Sequence, residues 1–230
     1  MALPLLNETP KYTMKIPSTG KSVRFRPYLV KEEKVLLLAA ESNDINQVMN
    51  AVIDTVTACV ADPIDRTKLT TFDLEYMFIK IRSKSVGEKI DLNLSCEHCE
   101  ATTKALVNLE EIDCVVDTET KVIKLSDEVS VEMKYPSYES IDLNGDESEL
   151  GFEILANCID AVLTEDERIA ISDEPKESVR AFLESMSKEQ FDSLAEFMND
   201  LPQIKTQVDF SCHKCGGDNS VSVAGMQSFF

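Results

Sequence analysis

The chain is predicted to be an α+β protein, and three observations lead there. Alternating segments recur near the N-terminus, around residue 100 and near the C-terminus. Long stretches with apolar residues at spacings of three and four lie between them. Two Ser-Cys-x-x-Cys motifs, at residues 95–99 and 211–215, occupy equivalent places in two of the alternating segments. With 230 residues, 43% of them hydrophobic, the chain is long enough for one sizeable core or two small ones.

YTMKIPSTGKSVRFRP alternates, turns at residues 17–20, alternates again and stops at Pro27, so it predicts an N-terminal hairpin. KEEKVLLLAAES, carrying Val35, Leu36 and Leu38, predicts a first helix. Asn43 and Asp44 can cap a second, in which Ile45, Val48, Met49, Val52, Ile53, Val56 and Val60 form one apolar face. Thr71 is expected to cap FDLEYMFIKIRSKSV, with Asp73 and Glu75 at the favourable end of the helix dipole. KVIKL at 121–125 and SVEMKY at 130–135 are expected as short strands. ELGFEILANCIDAVL, EPKESVRAFLESM and SKEQFDSLAEFMNDL are expected as acidic helices, the last opened by a Ser187/Gln190 capping box and ended by Pro202. The expected organisation is a single chain with four sub-regions: a hairpin and helices over 1–87, a first cysteine hairpin with strands over 88–136, an acidic helical insertion over 137–203, and a second cysteine hairpin with a tail over 204–230.

The two cysteine motifs carry the chemistry. DLNLSCEHCEATTKALVNL and QVDFSCHKCGGDNSVSVAG match feature for feature, with Ile90, Leu92 and Leu94 set against Val208 and Phe210 before the cysteines, and Ala105 and Val107 against Val221 and Val223 after them. Each predicts a β-hairpin with a thiol pair at its tip, which is half of a metal site. Together Cys96, Cys99, Cys212 and Cys215 supply the four thiolates of one closed, structural Zn²⁺ site, within one chain or shared between two. Gly216 and Gly217 suit the turn after Cys215. A redox pair of thioredoxin type would open a helix after a strand, and these pairs sit between strands. His98 and His213, the chain's two histidines, fall between paired cysteines and are expected to be solvated turn residues. A closed four-thiolate site has no open coordination position and argues against metal catalysis.

Other motifs fail on inspection. TGKS at 19–22 would need glycine at position 15 to complete a phosphate loop, and Lys15 stands there. Asp142, Asn144, Asp146, Ser148 and Glu153 have EF-hand spacing, but Glu147 occupies the position that requires glycine, so an acidic turn ahead of a helix is expected. Cys59, Cys114 and Cys158 are expected to be small buried hydrophobes. The terminal GMQSFF is expected to tuck into the core, with exposed aromatics that anchor an interface as the alternative. With no histidine outside the cysteine motifs, Ser-His-Asp and Cys-His constellations are hardly available, and no enzymatic activity is expected. A net charge of −19, from 23 basic and 42 acidic residues, speaks against nucleic acid and for a neutral or basic protein surface as partner. No basic, then apolar leader opens the chain and no apolar run is long enough to cross a bilayer, so a soluble, intracellular protein without membrane contact is expected.

LPLLNETPKYTMKIPSTGKSVRFRPYLVKEEKVLLLA, with the terminal VDFSCHKCGG and GMQSFF, resembles the T-even-type bacteriophage baseplate hub proteins, the small hub subunits and hub assembly factors of contractile tails. The likeness spans essentially the whole chain. It implies a role in building the baseplate hub in the host bacterial cytoplasm, through contacts with other phage baseplate hub proteins, with or without retention in the virion. It carries over no catalytic residue. The alternative from another class is a zinc-ribbon regulator that contacts nucleic acid or polymerase. Such a protein would show a basic or aromatic strip beside the cysteines, where Glu97, Glu100, Asp209 and Asp218 stand instead.

Overall fold

The computed structural model describes residues 9–225 apart from 43, 115, 117–120 and 141–146. The chain divides into two compact units, one of Met1–Arg66, Phe72–Val115 and Gln203–Phe230, the other of Thr67–Thr71 and Val116–Pro202.

The first unit opens with the expected hairpin. Strands β1 (Tyr12–Lys15) and β2 (Ser22–Phe25) pair antiparallel, with Tyr12 opposite Phe25, and Gly20 takes a φ of 65° in the turn. Alternation buries Met14, Val23 and Phe25 on one face. Helix α1 (Val30–Glu41) starts where the Glu32 carboxylate accepts from the Leu29 amide at 2.6 Å and pairs with Arg26 at 3.0 Å. Asp44 caps α2 (Ile45–Cys59) through the amides of Asn46 and Gln47, and Val52, Ile53, Val56 and Cys59 lie buried along it. In α3 (Thr71–Ser85), Asp73 stands in the first turn as expected and takes a second role there. It is fully buried and accepts from the Ser18 amide at 2.8 Å and hydroxyl at 2.6 Å, which ties the hairpin turn to the helix.

Two further hairpins complete this unit. Strands β3 (Lys89–Ser95) and β4 (Thr102–Asn108) pair from Lys89 opposite Asn108 to Ser95 opposite Thr102. Strands β9 (Lys205–Ser211) and β10 (Asp218–Ala224) repeat the pattern, from Lys205 opposite Ala224 to Ser211 opposite Asp218. Ala105, Val107, Val208 and Val223 face one another in a core with Ile79 of α3, Leu109, Ile112 and Ile204. That apolar packing brings the tips of the two hairpins together.

The second unit is a four-stranded antiparallel sheet of β5 (Lys121–Lys124), β6 (Ser130–Met133), β7 (Ile159–Leu163) and β8 (Arg168–Ala170), in that order. Helices α4 (Glu147–Cys158), α5 (Lys176–Glu184) and α6 (Lys188–Asn199) supply Leu155, Leu183, Leu194 and Phe197 to a core with Val131, Met133 and Ile159 of the sheet. Ser187 and Gln190 form the expected capping box of α6. The expected helix through Ile159–Leu163 stops instead at Cys158. β-Branched Ile159 and Val162 continue as a strand against β6, with Ile159, Ala161 and Val162 all buried. An apolar run with both faces covered satisfies either period, so periodicity alone could not separate the two. The acidic loop expected over residues 142–146 and the tail over 226–230 lie outside the described residues. Among the described residues, no helix is long and apolar enough to cross a membrane.

Candidate metal centre

Each cysteine pair sits in a tight turn built identically in the two hairpins. In the first, the Cys96 amide donates to the Ala101 carbonyl at 3.0 Å and the Glu100 amide to the Cys96 carbonyl at 2.9 Å. In the second, Cys212 donates to Gly217 and Gly216 to Cys212, both at 2.9 Å. The residue after the second cysteine needs a left-handed backbone in both copies. Gly216 provides it with a φ of 72°, and Glu100 adopts it with a φ of 56° despite its side chain. The turn aims amides at sulfur: His98 N lies 3.4 Å from Cys96 Sγ, and Lys214 N lies 3.4 Å from Cys212 Sγ.

The four sulfur atoms of Cys96, Cys99, Cys212 and Cys215 all lie within 4.8 Å of one another, in one chain. Cys96 Sγ is 3.7 Å from Cys215 Sγ, and Cys99 Sγ is 3.7 Å from Cys212 Sγ. A tetrahedron with metal–sulfur bonds of about 2.3 Å has edges of about 3.8 Å, so these separations suit a four-thiolate site and could hold a metal ion. Cys96 and Cys212 are buried, Cys99 is half-buried and Cys215 is exposed.

Electrostatics around the sulfurs favour charge on some and resist it on others. The amides of Cys215 and Lys214 hold the Cys212 thiol down to about 5 against the effect of burial. Burial raises the Cys96 thiol, but the amides of His98 and Cys99 more than offset it and leave it below the ordinary thiol value. Cys215 accepts from the Gly217 amide, which lowers it, yet the neighbouring thiols of Cys99, Cys96 and Cys212 together with burial push it up to about 11. Four thiolates this close repel one another unless a cation sits among them.

Polar side chains then lace each hairpin to the other. Thr103 and Asn219 both lie seven residues after the first cysteine of their motif, at the first inward position of β4 and β10, and both are buried. The Glu97 amide donates to Asn219 Oδ1 at 2.8 Å, and the equivalent His213 amide donates to Thr103 Oγ1 at 3.4 Å. Thr103 directs its hydroxyl at Cys212 Sγ, 3.7 Å away, and its oxygen lies 3.0 Å from His213 Nδ1. His98 Nε2 donates to the Asp218 carbonyl at 3.0 Å. Both histidines are therefore exposed turn residues, as expected, and each also fastens its own knuckle to the opposite hairpin. Gly217 makes room for the His98 ring, since a Cβ there would lie 2.5 Å from it and the ring would have to shift. Sequence patterning as read above does not single out Thr103 and Asn219, although a polar residue at an inward strand position in both copies is a signal for them.

The remaining thiols stand apart. Cys59 and Cys158 are buried and Cys114 half-buried, and burial pushes them up to about 11, 12 and 11 respectively. Thiols held protonated in this way behave as small apolar side chains.

Fold and site together define an α+β protein whose C-terminal hairpin and middle hairpin join in a zinc-ribbon-like four-cysteine unit. The family described as T4 bacteriophage base plate protein matches residues 9–230, and the chain belongs to that family. No curated protein and no solved structure matches the chain. Family membership makes it a phage protein with a baseplate-associated structural role and contacts with other phage baseplate proteins.

Proposed function

We infer that this chain is a non-enzymatic protein of baseplate hub assembly, a hub subunit or a hub assembly factor, which works through protein–protein contacts in the host bacterial cytoplasm. A structural Zn²⁺ held by Cys96, Cys99, Cys212 and Cys215 braces it. The family match over residues 9–230 carries the functional half of this reading. Sulfur separations of 3.7 Å, with amides aimed at Cys96 and Cys212, support the metal half. Four protein ligands leave no position for a substrate or a reactive water, so the ion's contribution is to hold the two hairpins together. In this reading the second cysteine hairpin, β9 with β10, returns to fasten onto the first, β3 with β4.

Acidic and polar residues around the knuckles, among them exposed Glu97, Glu100 and Asp218, disfavour the regulator that would contact nucleic acid. Quantitative proteomics of purified phage particles against infected-cell lysate tests the hub role. A fixed low stoichiometry with the other hub proteins identifies a subunit, and abundance in the lysate with absence from particles identifies an assembly factor. Failure to co-purify with any hub protein from either source would overturn both.

A further inference from the structure

The charge of the chain is concentrated in one unit. Residues 67–71 and 116–202 hold 23 Asp and Glu against 8 Lys and Arg, which is −15 of the total −19. Within that unit a groove of about 550 Å³ opens between α4 and α6. Phe152 and Leu155 of α4 line it with Phe191, Ala195 and Met198 of α6. Phe152 and Phe191 stack across it with ring centroids 5.4 Å apart, and both rings stay partly exposed. Asp192 and Glu196, one position further round α6, are exposed and take no ion pair among the described residues. The two helices carry six carboxylates against one basic residue, Lys188.

Gly151 points independently to an occupant. It lies within α4, where glycine weakens the helix, and beyond its chain neighbours and its own helix backbone no atom of the described residues lies within 4 Å of where its Cβ would be. Packing among the described residues therefore does not demand the glycine, and its place on the groove wall leaves room for the close approach of another backbone. The lining offers few polar groups to orient a small molecule, whereas an apolar trough between two helices suits the apolar face of a third.

We propose that the α4–α6 groove binds a lysine- or arginine-rich amphipathic helix of a partner protein, whose apolar face enters between Phe152, Phe191 and Met198 while its basic residues meet Asp192, Glu196 and the surrounding negative field. Electrostatic attraction speeds and selects the encounter, and the apolar contact holds it. This deepens the protein-binding role given above by naming the partner's chemistry, and it does not depend on the metal.

The test uses the full chain and a fluorescent peptide of about five helical turns, with leucine along one face and lysine elsewhere. A scrambled peptide of the same composition and a counterpart with glutamate for lysine serve as controls. The peptide binds saturably, and Gly151→Leu and the pair Asp192→Lys/Glu196→Lys each weaken it roughly tenfold or more. Gly151→Leu keeps or raises the thermal midpoint, which separates a filled groove from an unfolded one. Equal binding of the scrambled peptide, wild-type affinity in Gly151→Leu, or no binding at all would overturn the proposal. A change of oligomeric state in Gly151→Leu would instead place a second copy in the groove and overturn the partner assigned. Because no hub protein enters the assay, its failure leaves the particle proteomics result standing, and the reverse holds as well.

Discussion

Replacing Cys99 with serine removes one of the four sulfurs of the proposed site and, with it, a tie between residues 113 positions apart in the chain. Closing a ring of that size is worth about 4–5 kcal/mol in chain entropy alone. Folded domains are stable by about 5–15 kcal/mol, so the tie is a large share of the total. The variant does not unfold outright, because Ala105, Val107, Val208 and Val223 still pack against Ile79 and Ile204 below the knuckles. For a chain of this length the loss corresponds to a fall in thermal midpoint of roughly 10–20 °C. Amide exchange reports where the damage lies: protection at Cys96, Glu100, Cys212 and Gly216, whose amides close the two turns, collapses before that of the strands beneath. Treating the wild-type chain with a chelator reproduces both effects, and added Zn²⁺ reverses them. A midpoint within about 3 °C of the untreated protein, in the variant and after chelation alike, would refute the bracing role.

Three other perturbations probe separate parts of the structure. Gly217→Ala drives the new methyl group into the His98 ring and costs about 1–3 kcal/mol in a denaturant titration, and the second substitution His98→Ala returns most of that loss in a double-mutant cycle. Ser18→Ala strips two-point recognition from the buried Asp73 carboxylate, leaves only the backbone contact from residue 18, and lowers stability by about 1.5–3 kcal/mol in the same assay. Asp62 accepts from the Arg24 side chain and amide, which holds its carboxyl down from 3.8 to about 2. A depressed carboxylate stabilises the fold above its unfolded value, so this contribution is intact above pH 3.8 and drains away as pH falls toward about 2. Asp62→Asn removes that pH dependence, and a carboxyl titration followed by NMR in the wild type shows its midpoint near 2.

Much of the fold was legible because local signals agreed with one another. The N-terminal hairpin, the Asp44 cap, the capping box at Ser187 and both cysteine hairpins each had a turn or cap residue beside a clear period. The four cysteines were legible as a set because the chain repeats one motif with matching flanks, and in the structure the two halves meet. Strand β7 was missed because ILANCIDAVL is largely apolar, and only its pairing with β6 and β8 decides between helix and strand. Short β8 has no pattern of its own and owes its form to Ala170 pairing with Ala161. The place of Asp73 in the first turn of α3 was legible, but nothing local tells that Ser18, 55 positions earlier, arrives at its carboxylate. The cross-links from Thr103, Asn219 and the two histidines are also long-range, and they form only where the two hairpin tips meet around the sulfur cluster.

Native mass spectrometry of the full chain, purified without chelator and kept reduced, tests the central claim most directly. The account predicts a monomer-sized species carrying one zinc ion, which is lost when any of Cys96, Cys99, Cys212 or Cys215 becomes serine. The mass of the bare polypeptide, with all four thiols reduced and the chain still compact, would contradict it.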